Sequence, residues 1–155
     1  MIVKRVFDLL FSALGMVILS PVFLVVAILI KIDSKGPIYF RQDRVGKNSE
    51  VFQIHKFRTM KINSEHLGKI TIGEDKRITN LGKWLRKNKI DELPQLIDVL
   101  YGKMSLVGPR PELKEYVDTY PKDVKKKILS VRPGITDLAS IEMINESLIM
   151  AKYSN

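Results

Sequence analysis

The N-terminal segment of the chain is one long apolar run. No charged residue lies between Leu9 and Ile30, and a helix of about 20 apolar residues is enough to cross a bilayer. Ser20 and Pro21 stand near the middle of this run. A proline removes a backbone donor, and a serine hydroxyl can bond a carbonyl that the proline leaves free. The pattern therefore predicts either a crossing helix or a re-entrant helix that kinks at these two residues.

After Ile30 the pattern changes to short elements separated by polar turns. Residues 34–37 contain a turn signal, and residues 38–46 and 51–60 read as two strands of a hairpin. Alternation along the second strand places four side chains on one face: Phe52, Ile54, Lys56 and Arg58. That face is apolar at one end and basic at the other.

Two helices are predicted in the middle of the chain. Residues 79–90 form the first, with Thr79 as the N-cap. Residues 91–102 form the second, with Asp91 as the N-cap and Pro94 in the first turn, where its missing N–H costs little. The buried face of the first helix is predicted to carry Leu81, Trp84 and Leu85.

A loop follows in which Arg110 lies between two prolines, and residues 111–137 then read as basic helical sequence that ends in a Pro-Gly turn. Together these elements predict an α+β fold. Residues 1–33 form the membrane segment, and residues 34–155 form one small, mainly helical domain with a β-hairpin.

Composition narrows the choice of partners. The 155 residues carry a formal net charge of +9 and contain no cysteine, so disulfides and thiolate metal sites are excluded. A basic chain implies an anionic partner, and the long apolar run favours membrane lipids and phosphorylated substrates. Nucleic acid is not expected, because the chain has no aromatic-interleaved binding motif. A cleaved signal peptide is disfavoured, because the apolar run continues well beyond Pro21.

The pair Asp91–Glu92 is the sharpest candidate for chemistry. Taken alone, the pair is best explained by helix capping. Its setting changes this view. Three cations lie just upstream, Arg86, Lys87 and Lys89, and three more are candidates to converge from strand and loop, Lys56, Arg58 and Arg110. Cations keep a carboxylate ionised, as an attacking carboxylate must be, and two carboxylates beside phosphates suit Mg²⁺. This set predicts phosphoryl transfer. His55 and His66 are interpreted as ordinary residues.

Several segments resemble one family when they are taken together. They are the proline-bearing apolar start, KFRTM, DELPQL, MSLVGPRP and VRPGIT, and they run in order from Lys4 to Thr136. The chain is identified by them as a member of the bacterial sugar transferases, the monotopic polyprenyl-phosphate phosphoglycosyl transferases.

The resemblance implies an activity and a location. Such enzymes move a sugar 1-phosphate from a UDP-sugar to polyprenyl (undecaprenyl) phosphate, release UMP and so start glycan assembly. Asp91 would be the nucleophile and Glu92 would support Mg²⁺, while Lys56, Arg86 and Arg110 match the basic active-site positions. Arg58 lies in the KFRTM motif together with Lys56. The resemblance places the protein in the bacterial inner membrane, with its catalytic domain on the cytoplasmic face.

Two departures from the family pattern leave an alternative open. Asp137 and the four residues after it replace the Gly-Trp-Ala-Gln that follows PGIT in many members, which bears on the choice of sugar. Family modules also usually continue beyond Asn155. The alternative to an active transferase is therefore a truncated, inactive membrane module of the same fold. Oligomeric state is not predicted.

The flanks of the apolar run favour the re-entrant topology. Lys4 and Arg5 precede the run, and Lys31 and Lys35 follow it. Basic residues prefer the cytoplasmic side of a membrane, so a helix that returns to that side satisfies both flanks.

Overall fold

The computed structural model describes residues 2–62 and 75–137 as one long helix and a small α+β domain. The predictions for His66 and for the residues after Asp137 lie outside this part of the chain. The helices and strands are, in order, α1 (Ile2–Asp33), β1 (Tyr39–Val45), β2 (Val51–Phe57), α2 (Asn80–Lys87), α3 (Gln95–Leu100), β3 (Ser105–Val107), α4 (Lys114–Val117), α5 (Lys122–Ile128) and β4 (Gly134–Thr136). The predicted α+β class is confirmed.

Helix α1 runs through the predicted kink without interruption, with Pro21 inside it. The Ser20 hydroxyl donates to the Val17 carbonyl at 2.8 Å. In a regular helix that carbonyl would accept the N–H of residue 21, which a proline lacks. Ser20 therefore compensates for Pro21 as the sequence indicated, while a re-entrant bend at this position stays a prediction.

One stripe of α1 packs on the domain. The buried residues of the helix are Asp8, Ser12, Phe23, Val26 and Ile30, which recur at helical spacing. The last three form a core cluster with Phe57 and Leu85. The C-terminal half of α1 is thus packed against β2 and α2.

The N-terminal end of α1 is held by polar contacts instead. Arg5 donates to the Val99 carbonyl at 2.8 Å. Asp8 accepts the Ser105 hydroxyl at 2.8 Å and the Leu106 N–H at 3.1 Å. The domain therefore contacts α1 near both of its ends.

The opposite face of α1 is apolar and exposed over most of its length. The helix is long and apolar enough to cross a membrane by length and composition. Large exposed side chains on it include Val3, Phe7, Phe11, Leu14, Val17, Ile18, Leu24, Val25 and Ile28.

The predicted hairpin is confirmed. Strands β1 and β2 pair antiparallel from Tyr39↔Phe57 to Val45↔Val51, with a short turn at their tip. A second small sheet pairs β3 with β4 in parallel. It brings Gly108 and Gly134 together so closely that a Cβ on Gly134 would lie 2.1 Å from the Gly108 nitrogen.

Helix α2 begins as predicted but buries a different face. Thr79 is its N-cap, and its hydroxyl accepts the Gly82 N–H at 2.9 Å. Leu85 is fully buried, whereas Trp84 is 52% exposed, so the prediction was wrong for Trp84. The reason is Gly82, which has no side chain. The face of α2 that carries Gly82 therefore approaches the backbone of Thr59 closely.

The predicted helix over residues 91–102 is shorter and starts later. Ile90–Glu92 form a 3₁₀ turn, and α3 follows with Pro94 as its N-cap, so Asp91 is not the cap. Pro94 has no N–H to donate to the Ile90 carbonyl, and that carbonyl accepts the Leu93 N–H instead. Gly102 has a φ of +78° just after α3 and ends the helical segment as predicted.

Candidate active site

The candidate site is built around the 3₁₀ turn between α2 and α3. Lys89 enters the turn with a φ of 56°, and Asp91 and Glu92 follow it. Lys56, near the end of β2, donates to the Glu92 carboxylate at 2.7 Å. The exposed fractions of the Lys56 and Glu92 side chains are 19% and 18%, so this ion pair is largely shielded from water. The hairpin thus supplies one cation directly to the carboxylate pair.

Asp91 is the more deeply buried carboxylate of the pair. The residue is 8% exposed, and within residues 2–62 and 75–137 its carboxylate makes no hydrogen bond. Burial raises the pKa of Asp91, Glu92 raises it further, and the charges of Lys56 and Arg86 oppose the change without cancelling it. The neighbouring cations lower the pKa of Asp91, as expected, but desolvation is the larger effect.

The pKa of Glu92 is shifted in the opposite direction. Burial raises its pKa, but the charge and hydrogen bond of Lys56 and the charge of Arg110 more than offset this, so its pKa lies below the ordinary value. Two adjacent carboxyl groups therefore have different proton affinities, which is typical of sites where two acids take different roles.

Two arginines flank the carboxylates from other elements. Arg86 lies on α2, and its Nε donates to the Thr59 hydroxyl at 2.9 Å. Burial lowers the pKa of Arg86, and the charge of Asp91 opposes this. Arg110 is exposed in the loop after β3, where its backbone N–H donates to Asp137 at 3.2 Å. The structure therefore gathers Lys56, Arg86 and Arg110 around Asp91 and Glu92.

Residues 1–154 of the chain match the family described as bacterial sugar transferase. The chain belongs to the bacterial sugar transferase family. The resemblance seen in the sequence is thereby confirmed over nearly the whole chain.

Several curated members of the family are similar to this chain. It is 44% identical over 142 residues to the UDP-N-acetylgalactosamine-undecaprenyl-phosphate N-acetylgalactosaminephosphotransferase of Aeromonas hydrophila, covering 90% of this chain and 34% of that protein. It is 41% identical over 145 residues to the UDP-glucose:undecaprenyl-phosphate glucose-1-phosphate transferase of Klebsiella pneumoniae, covering 91% of this chain and 31% of that protein. The exopolysaccharide production protein PSS of Rhizobium leguminosarum bv. phaseoli is 39% identical over 150 residues, covering 91% of this chain and 74% of that protein. The chain thus spans about a third of the length of the first two relatives.

Arg58 belongs to the KFRTM motif of this family member but lies away from the strand face that was predicted for it. Strand β2 ends at Phe57, and Arg58 is 7% exposed. Its guanidinium donates to the Ser34 carbonyl at 2.7 Å and to the Ile30 carbonyl at 3.4 Å. Arg58 therefore satisfies the C-terminal carbonyls of α1. A contact with phosphate stays a prediction.

Sequence reasoning missed a pair of residues next to Lys56. The Asp98 carboxylate accepts the His55 backbone N–H at 2.9 Å and lies 2.7 Å from His55 Nδ1. Asp98 is 2% exposed, and burial raises its pKa against the influence of His55. The pair joins β2 to α3 on either side of the site. The signal in the sequence was an aspartate within the otherwise apolar stretch LIDVL.

The carboxylate pair fits a magnesium ion only together with substrate. The described ranges contain no group of three or more His, Asp or Glu side chains placed to hold a metal. Mg²⁺ in phosphate-transfer sites commonly takes one or two carboxylates and completes its shell with phosphates and water. The Asp91 carboxylate, which forms no hydrogen bond with any described residue, lies beside Glu92 and meets that requirement.

Proposed function

We propose that the chain transfers a sugar 1-phosphate from a UDP-sugar to polyprenyl phosphate and releases UMP. The observation that carries this proposal is the buried carboxylate of Asp91, which makes no hydrogen bond within the described residues and lies in the field of Lys56 and Arg86, while Arg110 acts on the adjacent Glu92. The names of the two bacterial phosphotransferases compared above describe such a transfer to undecaprenyl phosphate. Glycan assembly starts from the product of this reaction.

The reaction proceeds in two displacements at one phosphorus atom. The Asp91 carboxylate attacks the β-phosphorus of the UDP-sugar, and the bond from that phosphorus to the bridging oxygen breaks, so UMP leaves. An oxygen of polyprenyl phosphate then attacks the same phosphorus and releases the Asp91 carboxylate. The product is a polyprenyl diphosphate sugar. A burial-raised pKa suits a nucleophile that is poorly solvated and not tied by a hydrogen bond.

The cations of the site neutralise charge during both steps. Lys56 and Arg86 are held by other side chains at 2.7 and 2.9 Å, so they cost little reorganisation when phosphate binds. Arg110 is exposed in the loop between two prolines. The prolines restrict the loop, so little conformational entropy is lost when Arg110 binds phosphate. Asp91 and Glu92 would hold Mg²⁺, which supplies further neutralisation of diphosphate charge.

The structure also supports a membrane location. The exposed apolar face of α1 would be unstable in water and suits the acyl region of a bilayer. Because the domain contacts α1 near both ends, a helix that crossed the bilayer would pull the charged domain into hydrocarbon. We therefore place α1 in one leaflet of the inner membrane, with the domain on the cytoplasmic face where UDP-sugars are found.

The test is UMP release from a panel of UDP-sugars with Mg²⁺ and undecaprenyl phosphate. We expect release with at least one sugar, and we expect Asp91→Asn to lower it by at least about 10³-fold while the protein still sediments with membranes. Near-normal transfer by Asp91→Asn would show that Asp91 is not the nucleophile. Absence of release at high protein concentration would favour the alternative, an inactive membrane module of the same fold.

A further inference from the structure

Thr59 is joined to the start of helix α2 by close backbone contacts. The residue follows β2 and is 5% exposed. Its carbonyl accepts the N–H of Thr79, the N-cap of α2, at 3.0 Å. Gly82 lies so close that a Cβ there would be 2.1 Å from the Thr59 carbonyl oxygen. The first turn of α2 is therefore fixed against the backbone of Thr59.

The side chain of Thr59 reaches the same helix one turn later. Its hydroxyl accepts the Nε–H of Arg86 at 2.9 Å. A guanidinium is a rigid plane, so holding Nε sets the direction of the remaining N–H groups. The charges of Asp91 and Glu92 both act on Arg86, so its guanidinium lies within electrostatic reach of the carboxylate pair. Thr59 thus fixes both the helix that carries Arg86 and the orientation of its charged group.

We propose that Thr59 is a positioning residue that orients the guanidinium of Arg86 toward the phosphate transferred at Asp91. The inference rests on the proposed function. Groups that stabilise charge in a transition state act best when they are held in place before the reaction. Thr59 contacts no reacting atom, and it acts through the direction in which Arg86 points.

Thr59→Val separates this role from the backbone contacts. Valine keeps the branched shape and the carbonyl bond to Thr79 but removes the hydroxyl. We expect kcat/KM for UMP release to fall about 10- to 100-fold, mainly in kcat, because a hydrogen bond to a charged group is lost where transition-state charge is stabilised. Thr59→Ser restores the hydroxyl and is expected to stay within about threefold of the wild-type protein.

Two controls make the assignment specific. Thr119→Val removes an exposed hydroxyl that bonds the Tyr116 carbonyl, and it should leave the rate unchanged. In an Arg86→Lys background there is no Nε to hold, so Thr59→Val should then change the residual rate less than about twofold. A general packing defect would instead lower the rate by a similar factor in both backgrounds.

The outcomes separate this inference from the proposed function. If the wild-type chain releases UMP and Thr59→Val equals it, the positioning role is wrong and the proposed function stands. The same conclusion follows if the Thr59→Val loss persists in the Arg86→Lys background or if Thr59→Ser fails to rescue. If the wild-type chain transfers no sugar phosphate to any acceptor, both are overturned.

Discussion

At the residue scale, two adjacent carboxyl groups respond to folding in opposite directions. The pKa of Asp91 rises because the group is buried, and the pKa of Glu92 falls because Lys56 and Arg110 outweigh its burial. An acid whose pKa rises on folding holds its proton more tightly in the folded state, so ionising it at higher pH costs stability. Ionisation of Asp91 therefore lowers the free energy of unfolding of the protein.

Asp91→Asn should stabilise the protein while it abolishes transfer. The amide carries no charge and so removes the cost of burying an ionised group, and we expect a gain of about 1 kcal/mol in the free energy of unfolding at pH 7. Below the ordinary pKa of aspartate both states are protonated, and the advantage should vanish. Thermal unfolding in detergent at pH 7 and near pH 3 measures both effects.

Glu92→Gln is the matched control for this experiment. Its folded-state pKa is lowered, so its charge contributes stability above the ordinary pKa of glutamate, and that stability is lost as pH falls through the folded-state value. The glutamine variant should therefore be less stable than the wild-type protein at pH 7. A lower thermal midpoint for Asp91→Asn at pH 7 would contradict the assignment of burial as the dominant effect on Asp91.

The motif residues of the site could be named from the sequence, while the residues that hold them could not. Lys56, Arg86 and Arg110 lie in segments whose residue types already suggest phosphate chemistry. Thr59 and Asp98 act through contacts between elements that are distant in the chain. No local periodicity reports such contacts, because they depend on how α2 and α3 pack against the hairpin.

At the element scale, the ends of the helices decide where the site residues lie. Asp91 is displaced from the predicted cap because Pro94 forces a 3₁₀ turn before α3. Trp84 is exposed because Gly82 sets which side of α2 approaches the domain. Helix existence and the Thr79 cap followed from local signals. The later start of α3 came from the missing N–H of Pro94, which is also local, whereas the exposure of Trp84 came from a tertiary contact that overrides local preference.

Arg58 provides a prediction at this scale, because its guanidinium bonds the final carbonyls of α1. Arg58→Leu removes the donors and leaves the carbonyls of Ile30 and Ser34 without these bonds. We expect a loss of about 2–3 kcal/mol in the free energy of unfolding, measured as a lower midpoint in detergent. Arg41→Leu replaces an exposed arginine of β1 and should change the midpoint little. Equal midpoints for the two variants would show that Arg58 does not cap α1.

At the scale of the whole molecule, the position of α1 couples membrane depth to chemistry. The N-terminal end of α1 is bonded to Val99 within α3 and to Leu106 in β3, and its C-terminal half packs on Phe57 and Leu85. Helices α2 and α3 both contact α1, and the turn that carries Asp91 lies between them. A helix fixed in one leaflet would therefore hold the carboxylate at a set distance from the phosphate of a lipid substrate.

The topology can be tested cleanly because the chain contains no cysteine. Single variants Ile2→Cys and Ser34→Cys place thiols at the two ends of α1, where Ile2 is 82% exposed. With α1 in the cytoplasmic leaflet, a membrane-impermeant maleimide added to cells with a permeabilised outer membrane should label neither thiol. Both should react after lysis. Labelling of Ile2→Cys alone before lysis would establish a crossing helix and overturn the single-leaflet placement.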